Sequence, residues 1–244
     1  MRCSFISDLH LDSTTPTRIA AFQRFISSEA ERADEIYVLG DLTETWVGDD
    51  DDSAFAALLR EALESVAKRC RLHLMHGNRD FLIGEHFASA AGLHLVEDPY
   101  VIERNGVRLL LSHGDAFCTD DVEYQKLRAT VRSKDWQDRV LTMALSERRA
   151  LADSMRAQSR ATNANKPSNI MDADGDAIAS ALRFHNADAV VHGHTHRPGI
   201  SIVRTADRDR FRYVLGDWDR CGWVLRFADD FNLLRFPLAG HYEI

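Results

Sequence analysis

Five short clusters along this chain combine carboxylate, imidazole or carboxamide groups, and an apolar run precedes each. They are Asp8-Leu9-His10, Gly40-Asp41, Gly77-Asn78-Arg79-Asp80, His113-Gly114-Asp115 and His192-Gly193-His194-Thr195-His196. Oxygen and nitrogen donors without thiolate suit manganese, iron or zinc better than calcium or a soft metal. The two oxygens of Asp41 could bridge two ions. A pair of ions a few ångströms apart can lower the pKa of a shared water and clamp a phosphoryl group for in-line attack. Singly, Asp-x-His, Gly-Asp and Gly-Asn are ordinary turn sequences and His113 could be a core histidine. Their weight lies in their order, with five ligand clusters at successive strand ends.

Positioning such groups takes strands that end where the clusters begin. Phe5-Ile6, Ile36-Tyr37-Val38-Leu39 and Leu72-His73-Leu74-Met75 read as buried strands. Residues 16 to 32 and 52 to 68 between them carry apolar positions at helical spacing. At a strand end, residues two apart point the same way, which would let Asp8 and His10 converge on one cation and His194 and His196 on a pair. Gly40, Gly77, Gly114 and Gly193 allow sharp turns and close backbone approach. Asn105-Gly106 between Tyr100 to Glu103 and Val107 to Leu111 signals a two-residue hairpin. After residue 190 the pattern is strand and turn without amphipathic helices, so an α/β first half followed by an antiparallel second half is expected, forming a two-sheet sandwich with helices outside. The later members of the run Asp49 to Asp52 are expected to cap the helix that follows it.

Residues 119 to 167 break this alternation. They read as a helical insertion between core segments 1–118 and 168–244, and they are basic within a chain of formal net charge −8. That overall charge disfavours nucleic acid as a partner. The 45% hydrophobic and 28% charged composition is ordinary for a folded enzyme. The four cysteines are scattered and read as reduced, mostly buried thiols of a cytoplasmic protein. No apolar signal region opens the chain, and no stretch approaches the roughly 18 to 20 apolar residues of a membrane span.

Taken together, Asp8-x-His10, Gly40-Asp41, Gly77-Asn78, His113 and Gly193-His194-x-His196 resemble the calcineurin-like metallophosphoesterases over nearly the full length. The segments FISDLHL, GDLTETWVGDD, HGNRDFL, LSHGDAFCTDD and HGHTHRP are similar to the branch that cleaves UDP-2,3-diacylglucosamine in lipid A biosynthesis. The run Asp219-Arg220-Cys221-Gly222-Trp223, after Gly216-Asp217-Trp218, departs from that branch's pattern. The resemblance implies a four-layer αββα sandwich with a helical lid and two manganese ions. Asp8, His10 and His196 would hold one ion, Asn78, His113 and His194 the other, and Asp41 would bridge them. It implies catalytic roles for Asp41, Asn78, Arg79, His113 and His194, and substrate contacts from Asn78, Arg79, Asp121, Ser159, Asn163, Lys166 and His194. It further implies attack of metal-bound hydroxide on the α-phosphorus, release of UMP and 2,3-diacylglucosamine 1-phosphate, and peripheral attachment to the cytoplasmic side of the inner membrane.

Arg79 is informative because many relatives carry a proton-donating His after the metal-binding Asn. Arg cannot serve as an acid but can grip two phosphate oxygens. A phosphate leaving group, with a second pKa of about 6, departs without one. The bland alternative is a solvated ion pair between Arg79 and Asp80. The apolar residues of the insertion, Leu127, Val131, Trp136, Val140, Leu141, Met143, Leu145, Leu151 and Met155, could line a channel for acyl chains or meet a bilayer interface. Two rival functions are another dinuclear phosphoesterase, such as a nucleotide phosphodiesterase or phosphatase, and a metal-free scaffold of the same fold.

Overall fold

A computed structural model describes residues 1–163, 170 and 172–239, with Asn163 described by its backbone alone. The strands are β1 (Cys3–Ile6), β2 (Glu35–Leu39), β3 (Arg71–Met75), β4 (Leu93–Val96), β5 (Tyr100–Arg104), β6 (Val107–Ser112), β7 (Ala189–His192), β8 (Gly199–Arg204), β9 (Asp209–Val214), β10 (Cys221–Phe227) and β11 (Phe231–Pro237). The helices are α1 (Pro16–Glu29), α2 (Ala54–Ala67), α3 (Glu85–Ala91), α4 (Val122–Val131), α5 (Lys134–Leu141), α6 (Leu145–Asn163) and α7 (Gly175–Phe184).

Alternating side chains on doubly buried strands build the layers. Ile36 and Val38 of β2 face a cluster shared with Phe22 and Phe25 of α1 and Leu59 and Leu63 of α2. Tyr37 and Leu39 point the other way, into a middle layer with Leu109, Leu111, Val191 and Tyr213 of the second sheet. Leu110 and Val190 face outward again, onto Ile178 and Leu182 of α7. The six-stranded sheet runs β11-β10-β1-β2-β3-β4 and the five-stranded sheet β5-β6-β7-β9-β8. Helix, sheet, sheet, helix is the four-layer α/β sandwich expected, and each burial step adds about 25 cal/mol per Å² of apolar area.

Capping marks the helix starts. Ser53 caps α2 by accepting from the Ala56 amide at 3.1 Å, and Asp121 and Asp174 do the same for α4 and α7. Asn105 and Gly106 adopt positive φ, 52° and 78°, as the tight β5–β6 hairpin requires.

Three expectations change. The second half is not antiparallel throughout, because β7 pairs in parallel with both β6 and β9. The segment containing α4 to α7 separates β6 from β7, so the chain can re-enter in the same direction. The acidic run does not cap α2. Asp49 accepts from the amides of Gly84 and Phe87 at 2.8 and 2.9 Å, Asp50 pairs with the buried Arg148 of α6, and Asp51 and Asp52 pair with Arg149. Helix α3, strand β4 and helix α7 add elements that the sequence pattern did not single out.

Candidate metal centre and adjoining cavities

β1, β2 and β3 are parallel within one sheet, and β6 and β7 are parallel within the other. The loops that leave their C-terminal ends carry Asp8 and His10, Asp41, Asn78, His113, and His194 and His196, in that order. Five of the seven form two groups that overlap at Asp8, one of Asp8, His10 and His196 and one of Asp8, Asp41 and His113, and Asn78 joins His113 to His194 beside them. The pleat of a strand is not what aims them. Asp8, His10, Asp41, His194 and His196 have φ of 55°, 48°, 53°, 65° and 54°, a left-handed conformation that costs energy for side-chain-bearing residues and is held by surrounding contacts. Two of those contacts are close backbone approaches. A Cβ at Gly77 would meet Asp41 Oδ1 at 2.1 Å, and one at Gly193 would meet Asp8 Oδ2 at 2.2 Å, so glycine is required at both.

On one side, His196 Nε2 lies 3.3 Å from Asp8 Oδ1 and 3.4 Å from His10 Nε2. On the other, Asn78 Oδ1 lies 3.0 Å from His113 Nε2 and 2.9 Å from His194 Nδ1. Asp41 stands between them, with Oδ2 3.8 Å from His10 Nε2 and Oδ1 3.9 Å from His113 Nε2. Asp41 Oδ1 also accepts from the Arg79 amide at 2.8 Å.

Neighbours orient several donors. His113 Nδ1 donates to Leu39 O at 2.9 Å, which turns the Nε2 lone pair into the site. Asp8 Oδ2 accepts from Ser7 Oγ and the His194 amide at 2.6 and 2.9 Å. Asp8 Oδ1 is buried and makes no hydrogen bond among the described residues. A buried acceptor beside convergent ring nitrogens is the arrangement that divalent cations satisfy.

The donors' charges act strongly on one another: burial works to lower His10, His113 and His196, but the neighbouring carboxylates outweigh it and raise all three. Burial pushes the Asp41 carboxyl up, opposed by His113 and His10. Burial also works against the Asp8 carboxylate, but the His196 contact and the charges of His113 and His10 hold it well below the usual carboxylate range. Burial and the charge of His113 lower His194 to about 3, which leaves a neutral imidazole able to ligate.

Two cavities meet at this centre. The first, with an empty volume of about 850 Å³, is walled by Trp46, Val47, Phe81 and Leu82 of the core and by Leu127, Val131, Trp136, Val140, Leu151 and Met155 of α4 to α6. The second, about 880 Å³, is polar and contains His10, Asp41, Asp121, Thr195, His196 and Arg197. Asn78, Arg79, Tyr124 and Ser159 line both. Arg79 is not paired with Asp80, whose oxygens each accept a backbone amide at 2.7 Å, from Gly77 and Leu42. Asp121 and Ser159 thus stand at the site, whereas Leu141, Met143 and Leu145 do not line the apolar cavity. The side chain of Asn163 and all of Lys166 lie outside the described residues.

Several contributors escaped sequence reasoning. Glu44 Oε2 lies 3.2 Å from His10 Nδ1, and its Oε1 lies 3.9 Å from Arg156 of α6. Tyr124 stacks on His194 at 5.7 Å and donates to Asp115 Oδ2 at 2.8 Å. Arg128 Nε reaches the same oxygen at 2.9 Å. Arg18 donates to His10 O at 3.0 Å, and the Trp218 amide donates to Asp8 O at 3.0 Å. Only Asp115 had a signal, its place two residues after His113; the others are ordinary polar residues until the fold brings them in.

The calcineurin-like phosphoesterase family model matches residues 1–198 of this chain. UDP-2,3-diacylglucosamine hydrolase of Escherichia coli is 40% identical over 239 residues, spanning 97% of this chain and the whole of that protein. The enzyme of the same name from Escherichia fergusonii matches to the same extent. Among solved structures, an archaeal phosphodiesterase aligns with 97% of this chain and all of its own, at 14% identity and a TM-score of 0.48.

Proposed function

This chain belongs to the calcineurin-like phosphoesterases, a family of metal-dependent hydrolases, and we propose that it hydrolyses the diphosphate of UDP-2,3-diacylglucosamine to UMP and 2,3-diacylglucosamine 1-phosphate, a step of lipid A biosynthesis. The observation that carries this reading is the junction: Asn78, Arg79, Tyr124 and Ser159 are walls of both the polar cleft over the clustered donors and the apolar cavity beside it. An amphiphile whose head is a diphosphate and whose tails are alkyl chains needs both compartments in contact.

In this reading Asp8, His10 and His196 hold one divalent cation, Asn78, His113 and His194 a second, and Asp41 both, with manganese as the metal. Such a pair supplies an acidified water and positive charge opposite the phosphates. Arg79 opposes the charge that develops on the departing sugar phosphate, which needs no proton donor. Asp121 and Ser159, with Asn163 and Lys166, bind the glucosamine head. The apolar walls bury the acyl chains, each methylene contributing about 0.8 kcal/mol.

Residues 119–167 act as a lid over this compartment, at the cytoplasmic face of the inner membrane. Half-exposed Val122 and Leu127 beside Lys126 on α4, and Leu141 beside Arg139 on α5, suit contact with an anionic bilayer. No helix among the described residues is long and apolar enough to cross a membrane.

Hydrolysis in ¹⁸O-enriched water with manganese tests the proposal. The label is expected in UMP, since water attacks the α-phosphorus; label in the sugar phosphate, or no hydrolysis, contradicts it.

A further inference from the structure

The apolar cavity and the shared wall account for only part of a sugar nucleotide. A ribose and a uracil on the far side of the diphosphate bring hydroxyl, imide and carbonyl groups, and burying these unpaired in the apolar cavity costs about 1–3 kcal/mol each. They require a polar continuation of the site. One is present, for Cys118, Asp121, Thr195, His196 and Arg197 line the polar cleft and not the apolar cavity.

Two features distinguish the Thr195–Arg197 end of that cleft. The Arg197 guanidinium is ion-paired to Asp172 Oδ2, while Asp172 Oδ1 lies 3.6 Å from Arg212 of β9. The Arg197 side chain nonetheless remains 47% exposed. It is an ion-paired cation with nearly half of its side chain exposed, and a planar guanidinium can both stack on a base and donate to carbonyl and hydroxyl oxygens. Beside it, the Thr195 hydroxyl is buried and has no hydrogen-bond partner among the described residues. A native buried hydroxyl without a protein partner is uncommon and is satisfied by water or by a ligand.

We propose that the Thr195–Arg197 end of the polar cleft is the nucleoside subsite: Arg197 contacts the ribose and uracil of the UMP half, and Thr195 takes a ribose hydroxyl as its missing partner. This rests on the hydrolysis of a sugar nucleotide proposed above. It also agrees with the direction of that reaction. The α-phosphate stays over the clustered donors with its nucleoside on the His196 side, and the sugar phosphate departs past Arg79 toward the apolar cavity.

Product inhibition of the manganese-loaded protein separates the two ends. UMP, ribose 5-phosphate and 2,3-diacylglucosamine 1-phosphate are compared as inhibitors, with bound metal measured for every variant. Arg197→Ala is expected to raise the inhibition constant of UMP about tenfold, as loss of a charged hydrogen bond does, and to remove its advantage over ribose 5-phosphate. The constant for the sugar phosphate and the metal content should not move. Asp172→Asn, which loosens Arg197 without removing it, should give a smaller rise with the same selectivity, and Thr195→Val provides a third variant should Arg197→Ala fail to fold. An unchanged UMP constant across the folded variants, or an equal rise for both products, overturns the subsite. Absence of hydrolysis by the unaltered protein defeats the parent reading instead; hydrolysis with UMP inhibition indifferent to these substitutions defeats only the subsite.

Discussion

The polar cleft that holds the clustered donors and the apolar cavity share four wall residues but are built on opposite principles. Each donor in the cluster sits on a loop at the end of a core strand. Asp8 is fixed by Ser7 and the His194 amide, His113 by Leu39 O, and His10 abuts Glu44. Directional chemistry requires side chains held to within about half an ångström. The cavity is roofed by helices whose contribution is area rather than angle, and apolar burial has no preferred direction. Charged ties join these helices to the core, with Arg148 on Asp50, Arg149 on Asp51 and Asp52, Arg128 on Asp115, and Arg156 near Glu44. Two of them end on residues touching the cluster: Asp115 holds Tyr124 against His194, and Glu44 abuts His10. A roof can therefore be replaceable in detail while its attachment points are not.

Substitutions should separate the two regions by size and kind of effect. Asp41→Ala removes the group between the two donor sets, and turnover should fall by at least the order of 10²–10³ that loss of one preorganised electrostatic group costs; near-normal turnover by metal-loaded protein would break the assignment. Arg79→Ala should lower kcat by a similar order, about 10²-fold, with manganese affinity by calorimetry unchanged. Glu44→Ala should weaken manganese binding by about 10- to 100-fold, the usual result of removing a group that orients a ligand histidine, with Glu44→Gln recovering part of it. In the cavity, Val140→Asp should raise KM for the acylated substrate about tenfold, through about 1–3 kcal/mol of unpaired polar burial, and leave metal affinity alone. Asp50→Ala should be mildest. It removes one partner of Arg148, which keeps bonds to Val47 O and Met143 O, and a loss of about 1 kcal/mol in denaturant unfolding is expected.

Sequence legibility followed the same division. Strands β1, β2 and β3 and the polar clusters after them were readable, because buried parallel strands are continuous apolar runs and their polar ends stand out. The parallel pairing of β7 was not, since α7, which ends just before it, does not stand out in the sequence pattern and the strand-and-turn pattern after residue 190 mimics hairpins. The left-handed φ of Asp8, His10, Asp41, His194 and His196 was equally hidden: nothing in Asp-Leu-His reports a backbone that its neighbours impose. Glu44, Tyr124 and Trp218 acquire their positions only through tertiary contacts. The acidic run was misjudged because its partners, Arg148 and Arg149, are about a hundred residues away in sequence. In the helical segment the choice between an acyl channel and ordinary packing stayed open, since an apolar stripe at helical spacing is common to both.

The claim at the centre is that both regions serve a single substrate molecule. It is tested most directly by kcat/KM of the manganese-loaded protein for UDP-2,3-diacylglucosamine against the same sugar nucleotide without its acyl chains. Burial of even a few methylenes at about 0.8 kcal/mol each should favour the acylated compound by on the order of 10²-fold or more. Equal values would contradict the account, leaving a phosphoesterase whose apolar cavity is unrelated to its chemistry.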